Sequence, residues 1–257
     1  MCGRVRDPQD VGGMVQHMNM ADEIAELKLT LDVNEIFGPT IQGEGPSVGQ
    51  RCAFLRLAGC NLTCTWCDTP YTWDWEGLNG EPYDKTQETH PASLYEIHHQ
   101  LTGLGVDLIV VSGGEPMMQQ ANLGPLVDRL TRAGIRVEIE TNGTIAPRIN
   151  PTRFNVSPKL AHSLVRAKKR IKHDILAQYV GNAIFKFVCQ QPADLDEVID
   201  IAWNANIPKR DIWIMPEGRD PVTLQSHAEA ITDTAIGLGF NITPRLHVMT
   251  WGMRRGV

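Results

Sequence analysis

Cys60, Cys64 and Cys67 stand in one short run, Gly59-Cys60-Asn61-Leu62-Thr63-Cys64-Thr65-Trp66-Cys67-Asp68-Thr69. The C-x3-C-x2-C spacing puts three thiolates on a single loop, one fewer than the four that fill a cubane iron–sulfur cluster. A cluster held in this way keeps one iron without a protein ligand, and an open metal position is where chemistry can occur. Structural zinc sites are usually closed by four ligands, commonly in paired C-x2-C groups. No second pair exists here, because Cys2, Cys52 and Cys189 stand alone. The spacing therefore favours an open redox site, with a non-catalytic zinc module as the rival reading.

The elements that must carry this loop alternate from residue 31 onward. Residues 33–37 and 52–57 read as strands. Leu94, Ile97, Leu101 and Leu104 keep helical spacing, with Pro91 before them and Gly103 and Gly105 after, which predicts a helix. Leu108-Ile109-Val110-Val111 is a short continuous apolar run, as in a strand buried on both faces. A helix over 123–132, stopped by Gly134, precedes a strand over 135–140. Further strands are predicted at 154–156, 184–188, 212–214 and 242–248, with helices around 165–180, 192–205 and 222–238. Repeated β-α units imply an α/β fold with a parallel sheet, closed or partly closed, joined by right-handed crossovers. The polar stretch 75–89 reads as an excursion loop, with a lid as its functional reading. Residues 1–30 read as an N-terminal extension, a loosely docked tail.

Against this frame the unusual residues fall at strand ends. The cysteine loop follows strand 52–57, and Ser112-Gly113-Gly114-Glu115-Pro116 follows strand 108–111. Thr141-Asn142-Gly143-Thr144, Ser157-Pro158-Lys159, Cys189-Gln190 and Met215-Pro216-Glu217-Gly218 end the next four. In a parallel barrel such loops share one rim, where these folds build active sites. Each motif has a bland alternative. Gly113-Gly114 serves equally as a turn, because glycine is the default for positive φ. Glu115 could bond local backbone or receive a ligand ammonium group. Glu140-Thr141-Asn142 could cap a turn or offer a carboxylate to the rim. Lys159 is by base rate a solvated lysine, yet past a strand end it can anchor a carboxylate. Arg56, inside the apolar strand Phe54-Leu55-Arg56-Leu57, needs an anionic partner, which makes it a candidate for gripping an acidic substrate. Cys52 and Cys189 read as plain buried thiols, and His98-His99 as surface residues.

Composition narrows the classes. The 257 residues carry a formal charge of −6, so no global basic field draws the chain to nucleic acid or anionic lipid. The basic run Arg166-Ala167-Lys168-Lys169-Arg170-Ile171-Lys172 reads as a solvated helix face, a local phosphate contact being the minority reading. Six unpaired cysteines do not describe a secreted disulfide scaffold. Neither a membrane span nor a signal peptide is supported, and a cytoplasmic location is expected.

Cys60-x3-Cys64-x2-Cys67 together with Gly113-Gly114-Glu115-Pro116 resembles the radical S-adenosylmethionine superfamily. Within it, the run from Glu35 to Gly45 (EIFGPTIQGEG) resembles the 7-carboxy-7-deazaguanine synthase family. So do Phe54 to Leu62, Trp66-Cys67-Asp68-Thr69, Glu140 to Thr144, Ser157-Pro158-Lys159 and Leu246-His247-x3-Trp251-Gly252. The resemblance covers about residues 31–257 as one catalytic domain. It implies a partial (β/α)6-type parallel barrel with a [4Fe–4S] cluster on Cys60, Cys64 and Cys67. S-adenosylmethionine would chelate the open iron and yield a 5′-deoxyadenosyl radical. The implied substrate is 6-carboxy-5,6,7,8-tetrahydropterin, contracted to 7-carboxy-7-deazaguanine with loss of ammonia. Residue by residue, Ile41, Gln42, Gly43, Arg56 and Ser112 would meet the pterin. Trp66, Cys67, Asp68, Gly114, Glu140, Ser157, Pro158 and Lys159 would line S-adenosylmethionine, and Thr69 would hold Mg2+. Position 112 is Ser where some relatives carry Thr, a change that keeps the hydroxyl. The family also implies a homodimer and an electron donor such as flavodoxin.

Overall fold

The computed structural model describes residues 28–257. The N-terminal extension expected over 1–30 therefore lies almost wholly outside the described residues. β1 (Thr30–Ile41) begins inside the last residue of that segment. It is followed by β2 (Arg51–Leu57), β3 (His90–Ser93), β4 (Leu108–Gly113), β5 (Arg136–Thr141), β6 (Arg153–Val156), β7 (Ala183–Cys189), β8 (Ile212–Pro216) and the two-residue β9 (Asn241–Ile242). They form one sheet in the order β3-β1-β2-β4-β5-β6-β7-β8-β9. From β2 to β9 every pairing is parallel, whereas β1 runs antiparallel to both β2 and β3. Six longer parallel strands, from β2 to β8 without β3, make the partial barrel that the resemblance implied.

The helices are α1 (Lys85–Glu88), α2 (Leu94–Gly103), α3 (Gln120–Arg132), α4 (Ala167–Arg170), α5 (His173–Tyr179), α6 (Asp194–Asn204), α7 (Pro221–Leu238) and α8 (Leu246–Trp251). α2 is started by a capping box, in which the Ser93 side chain and Glu96 satisfy each other's backbone N–H groups. Pro91, expected to lie at that helix start, instead sits in β3, an edge strand where its missing N–H costs nothing. Side chains alternate across each strand. Leu55 and Leu57, Ile109 and Val111, Val137 and Ile139, Phe185 and Phe187 face the helices and join Ile97, Leu101, Leu123, Leu126, Val198 and Ile231 in the main core. The other face turns into the barrel, carrying Phe54, Arg56, Ser112, Glu140, Lys186 and Val188 to the cleft.

One local expectation is corrected and one is sharpened. Residues 242–248 are not one strand: the ladder stops after Ile242, Pro244 has no N–H to continue it, and α8 begins at Leu246. The stretch 75–89 is an irregular excursion ending in α1, capped by Asp84, whose side chain accepts from the Thr86 N–H. Among the described residues no helix is long and apolar enough to cross a membrane.

Candidate active site

β1 ends at the rim opposite the strand-end loops, because it runs antiparallel to β2. The chain that follows turns back into the barrel. Ser47 donates to Glu138 Oε1 at 2.6 Å, while Gln42 Nε2 reaches Glu140 Oε1 at 3.4 Å, two residues further along β5. Arg153 and Asn155 also donate to Glu138, so a satisfied polar plug closes the barrel below the cleft. Above it lies a cavity of about 240 Å³. Its wall includes Ile41, Gln42, Gly43, Arg56, Cys60, Cys64, Trp66, Cys67, Asp68, Thr69, Ser112, Gly114, Glu140, Ser157 and Lys159. Of the residues that the resemblance assigned to substrate, cofactor or metal, Pro158 alone is absent from this lining, and it is buried.

The cysteine loop is held by the glycine pair. The Gly114 N–H donates to Leu57 O at 3.0 Å and the Glu115 N–H to Gly59 O at 2.8 Å. A Cβ on Gly113 would stand 2.0 Å from Leu57 O, and one on Gly114 2.0 Å from Gly59 O. Only glycine permits that approach, so the pair lets the turn after β4 brace the end of β2 and the start of the cluster loop. Glu115 lies outside the cavity wall, buried, accepting from the Met117 and Asn142 N–H groups and from the Thr141 hydroxyl. Its local backbone role is the one realised.

Arg56 has its anionic partner within the chain. Glu35 stands opposite it in register on β1, and Arg56 Nε donates to Glu35 Oε1 at 2.8 Å. Its Nη groups have no hydrogen bond among the described residues, and the guanidinium lies near the Phe37 and Tyr71 rings. Ser112 Oγ, also in the wall, is buried without a partner among the described residues. A buried hydroxyl left so costs free energy until a ligand supplies its bond. Trp66 Nε1 is in the same condition. Lys159 Nζ donates to Ser157 Oγ at 2.9 Å and sits 5.5 Å from the Trp66 ring centre, leaving donors for a ligand carboxylate.

A network of charges on the cavity wall escaped the sequence reading. Glu44 accepts from Lys186 and from Arg245 Nε, the latter at 3.0 Å, with His247 Nε2 at 3.8 Å. Arg245 also pairs with Asp68, and Lys186 lies 3.7 Å from Glu140. Burial alone would raise the Glu44 pKa, but Lys186 and Arg245 hold it well below the ordinary carboxylate value. Burial pushes the His247 pKa down. A Cβ on Gly43 would meet His247 Nδ1 at 2.0 Å, so the glycine makes room for that imidazole. Lys186 had a signal: it interrupts the apolar strand Ala183–Cys189, as Arg56 interrupts β2. Arg245 had none.

The sulfur sites suit a metal cluster. Burial pushes Cys60 up to about 12 and raises Cys64 and Cys67, so none is held as a free thiolate, and metal is what would hold them ionised. Donors already point at sulfur: the Leu62 N–H to Cys60 at 3.5 Å and Trp73 Nε1 to Cys67 at 3.3 Å. Such bonds tune the potential of a cluster. Among the described residues no three His, Cys, Asp or Glu side chains converge on one metal ion; a cubane asks instead for one thiolate per iron. By contrast Cys52, pushed up to about 12, and Cys189 are fully buried thiols away from the cavity.

The Radical SAM superfamily profile matches residues 55–201. The 7-carboxy-7-deazaguanine synthase of Pyrobaculum aerophilum is 36% identical over 87% of this chain and 96% of its own length. That of Hyperthermus butylicus is 34% identical over 87% of this chain and 94% of its own. The fold is similar to that of the crystal structure of QueE from Escherichia coli, with TM-score 0.67 and 24% identity over 89% of this chain and 100% of that one. With identity of that level spread over nearly the full length of both relatives, this chain belongs to the 7-carboxy-7-deazaguanine synthase family of the radical SAM superfamily.

Proposed function

We propose that the chain converts 6-carboxy-5,6,7,8-tetrahydropterin to 7-carboxy-7-deazaguanine, with loss of ammonia, as a carbon–nitrogen lyase. The observation that carries this reading is the meeting of three cysteines with Arg56, an unpartnered Ser112 hydroxyl and Lys159 in one cavity. When bound, a [4Fe–4S] cluster and S-adenosylmethionine supply one-electron cleavage and hydrogen abstraction, chemistry that belongs to the cofactor.

The chain's own residues bind and orient. Cys60, Cys64 and Cys67 hold the cluster. Trp66, Cys67, Asp68, Gly114 and Ser157-Pro158-Lys159 form the S-adenosylmethionine side, where the Lys159 ammonium meets the ligand carboxylate. The free Nη face of Arg56 takes the pterin carboxylate while Glu35 fixes its angle, and Ser112 adds a hydrogen bond. Ile41, Gln42 and Gly43 form the floor beneath the ring. Glu140, bonded by Gln42 and beside Lys186, belongs with this substrate group rather than with the cofactor. It has lone pairs left for the donor-rich edge of an aminopyrimidine. Phe37, Phe54, Tyr71, Trp73 and Met215 supply apolar wall that limits water. Thr69 is the protein's contribution to Mg2+, which keeps waters and borrows substrate oxygens. A flavodoxin-type donor and a homodimer complete the reading, in a cytoplasmic setting.

The test is anaerobic reconstitution with iron, sulfide, Mg2+, S-adenosylmethionine, reductant and the pterin. Mass detection of a carboxylated deazaguanine is expected; cluster-loaded protein that consumes no pterin would overturn the assignment.

A further inference from the structure

The basic run 166–172 takes no part in the cavity, yet the structure ties it to the cluster loop. Val165 packs with Leu62 and Cys64 in one apolar cluster that Cys60 and Cys67 also join. The Thr65 N–H donates to Ser163 O at 3.3 Å. Arg170 is the inward anchor of the run: it is buried, donates to the carbonyls of Val165 and Lys159, and pairs with Glu197 at 2.6 Å. With Arg170 turned in, Arg166, Lys168 and Lys169 are left exposed. None of the three forms a salt bridge among the described residues. Beside them Leu164 is 75% exposed and held at φ 59°. A leucine in that left-handed region is unusual, because its Cβ crowds the following carbonyl. It sets an apolar knob against a cationic rim, on a chain whose formal charge is −6.

The cluster loop reaches solvent on this same side of the strand-end rim. Its cysteines line the cavity, Cys64 buried and Cys60 and Cys67 half-buried, while Asn61, Thr63 and Thr65 are exposed between them, so only a single loop separates the sulfurs from solvent on its outer side. We propose that Leu164, Arg166, Lys168 and Lys169 form the docking surface for an acidic one-electron carrier protein that reduces the cluster. The inference rests on the radical reading above and names the surface its reductant uses. In the transfer the carrier loses one electron and the cluster gains one, with no atom exchanged. Charge complementarity between this cationic patch and an acidic partner speeds their encounter. The small patch suits a brief electron-transfer contact, which needs little area.

The test uses the cluster-loaded enzyme and a purified flavodoxin. Arg166→Glu, Lys168→Glu and Lys169→Glu are combined, and Leu164→Asp is made separately. Arg210→Glu, on the opposite rim at the N-terminal end of β8, is the control. Calorimetry of the oxidised carrier should show at least about tenfold weaker binding for the triple variant at low salt, with a shallower salt dependence than the parent. KM for the carrier should rise in step, while dithionite-driven turnover and the control variant match the parent. Unchanged carrier affinity in the triple variant would overturn the proposal. So would binding of transfer RNA by the parent at this patch with the carrier indifferent to it. Failure of dithionite-driven turnover in the parent would strike the reaction itself, and the calorimetric arm would still decide the surface.

Discussion

Cys64 and Arg56 separate the two halves of the site. Cys64→Ala removes one of three sulfurs and leaves a buried apolar methyl in contact with Leu62 and Val165, so the fold should survive. Iron content, the brown charge-transfer absorbance and S-adenosylmethionine cleavage should all be lost; cleavage at the parental rate would remove Cys64 from the ligand set. Arg56→Ala should leave the cluster absorbance intact. Losing a charge-assisted contact typically costs about 1.5–3 kcal/mol, so KM for the pterin should rise on the order of 10–150-fold. Glu35→Gln keeps the guanidinium but weakens the bond that aims it, and a smaller rise is expected. Equal effects of the two variants would mean that Glu35 itself contacts the pterin. The sequence exposed Arg56 because a guanidinium inside an apolar strand demands a partner. It hid that the partner was Glu35, because cross-strand register is set by pairing and not by composition.

At the scale of elements, the glycine brace explains why a turn motif without a reactive side chain matters. Gly114→Ala drives a methyl into Gly59 O, a backbone atom that can yield only by moving the cluster loop. Overpacking of this sort costs about 1–3 kcal/mol, and reduced cluster occupancy should accompany the drop in Tm. Full occupancy with a parental Tm would show that the loop is held elsewhere. The parallel strands were legible because each is a short apolar run followed by a polar turn. The direction of β1 was missed, although nine residues between Ile41 and Arg51 are too few for a parallel crossover. β3 was missed because Pro91 argues against a strand, and an edge strand tolerates it. The end of the chain was misjudged for a different reason. α8 is only six residues long, too short to show periodicity, and it is fixed by what it docks on: the Leu246 N–H donates to Gly43 O at 2.9 Å.

For the molecule as a whole, the notable feature is that the sheet is open yet its interior is closed. β3 and β9 are its two edges, and the gap is spanned by the segment after β1 meeting the segment after β9. The Gly45 N–H donates to Thr243 Oγ1 at 2.6 Å, and Glu44 gathers Lys186, Arg245 and His247 from β7 and the chain after β9. No sequence pattern could show this, because the four residues are brought together only by the folded sheet. Removing one partner of a buried ion pair leaves an uncompensated charge, at about 3–5 kcal/mol. Glu44→Gln should therefore lower the urea midpoint strongly at pH 7. The sign with pH follows from linkage. The folded-state pKa of Glu44 lies below its unfolded value of about 4.3, so its contribution is complete above that value and is lost as pH falls below it. Parent and variant should then differ most near pH 7, begin to converge below about pH 5, and go on converging as pH falls toward the depressed folded-state value. Lys186, raised by Glu140 and Glu44 against the lowering effect of burial, acts with the opposite sign. Its contribution persists below the unfolded lysine value of about 10.4 and fades only as pH climbs through the higher folded one. Urea titrations of parent and Glu44→Gln at pH 7, 5, 4 and 3 would read this directly. Curves that stay parallel down to pH 3 would place the barrel's closure in its apolar contacts and not in this ionic clasp.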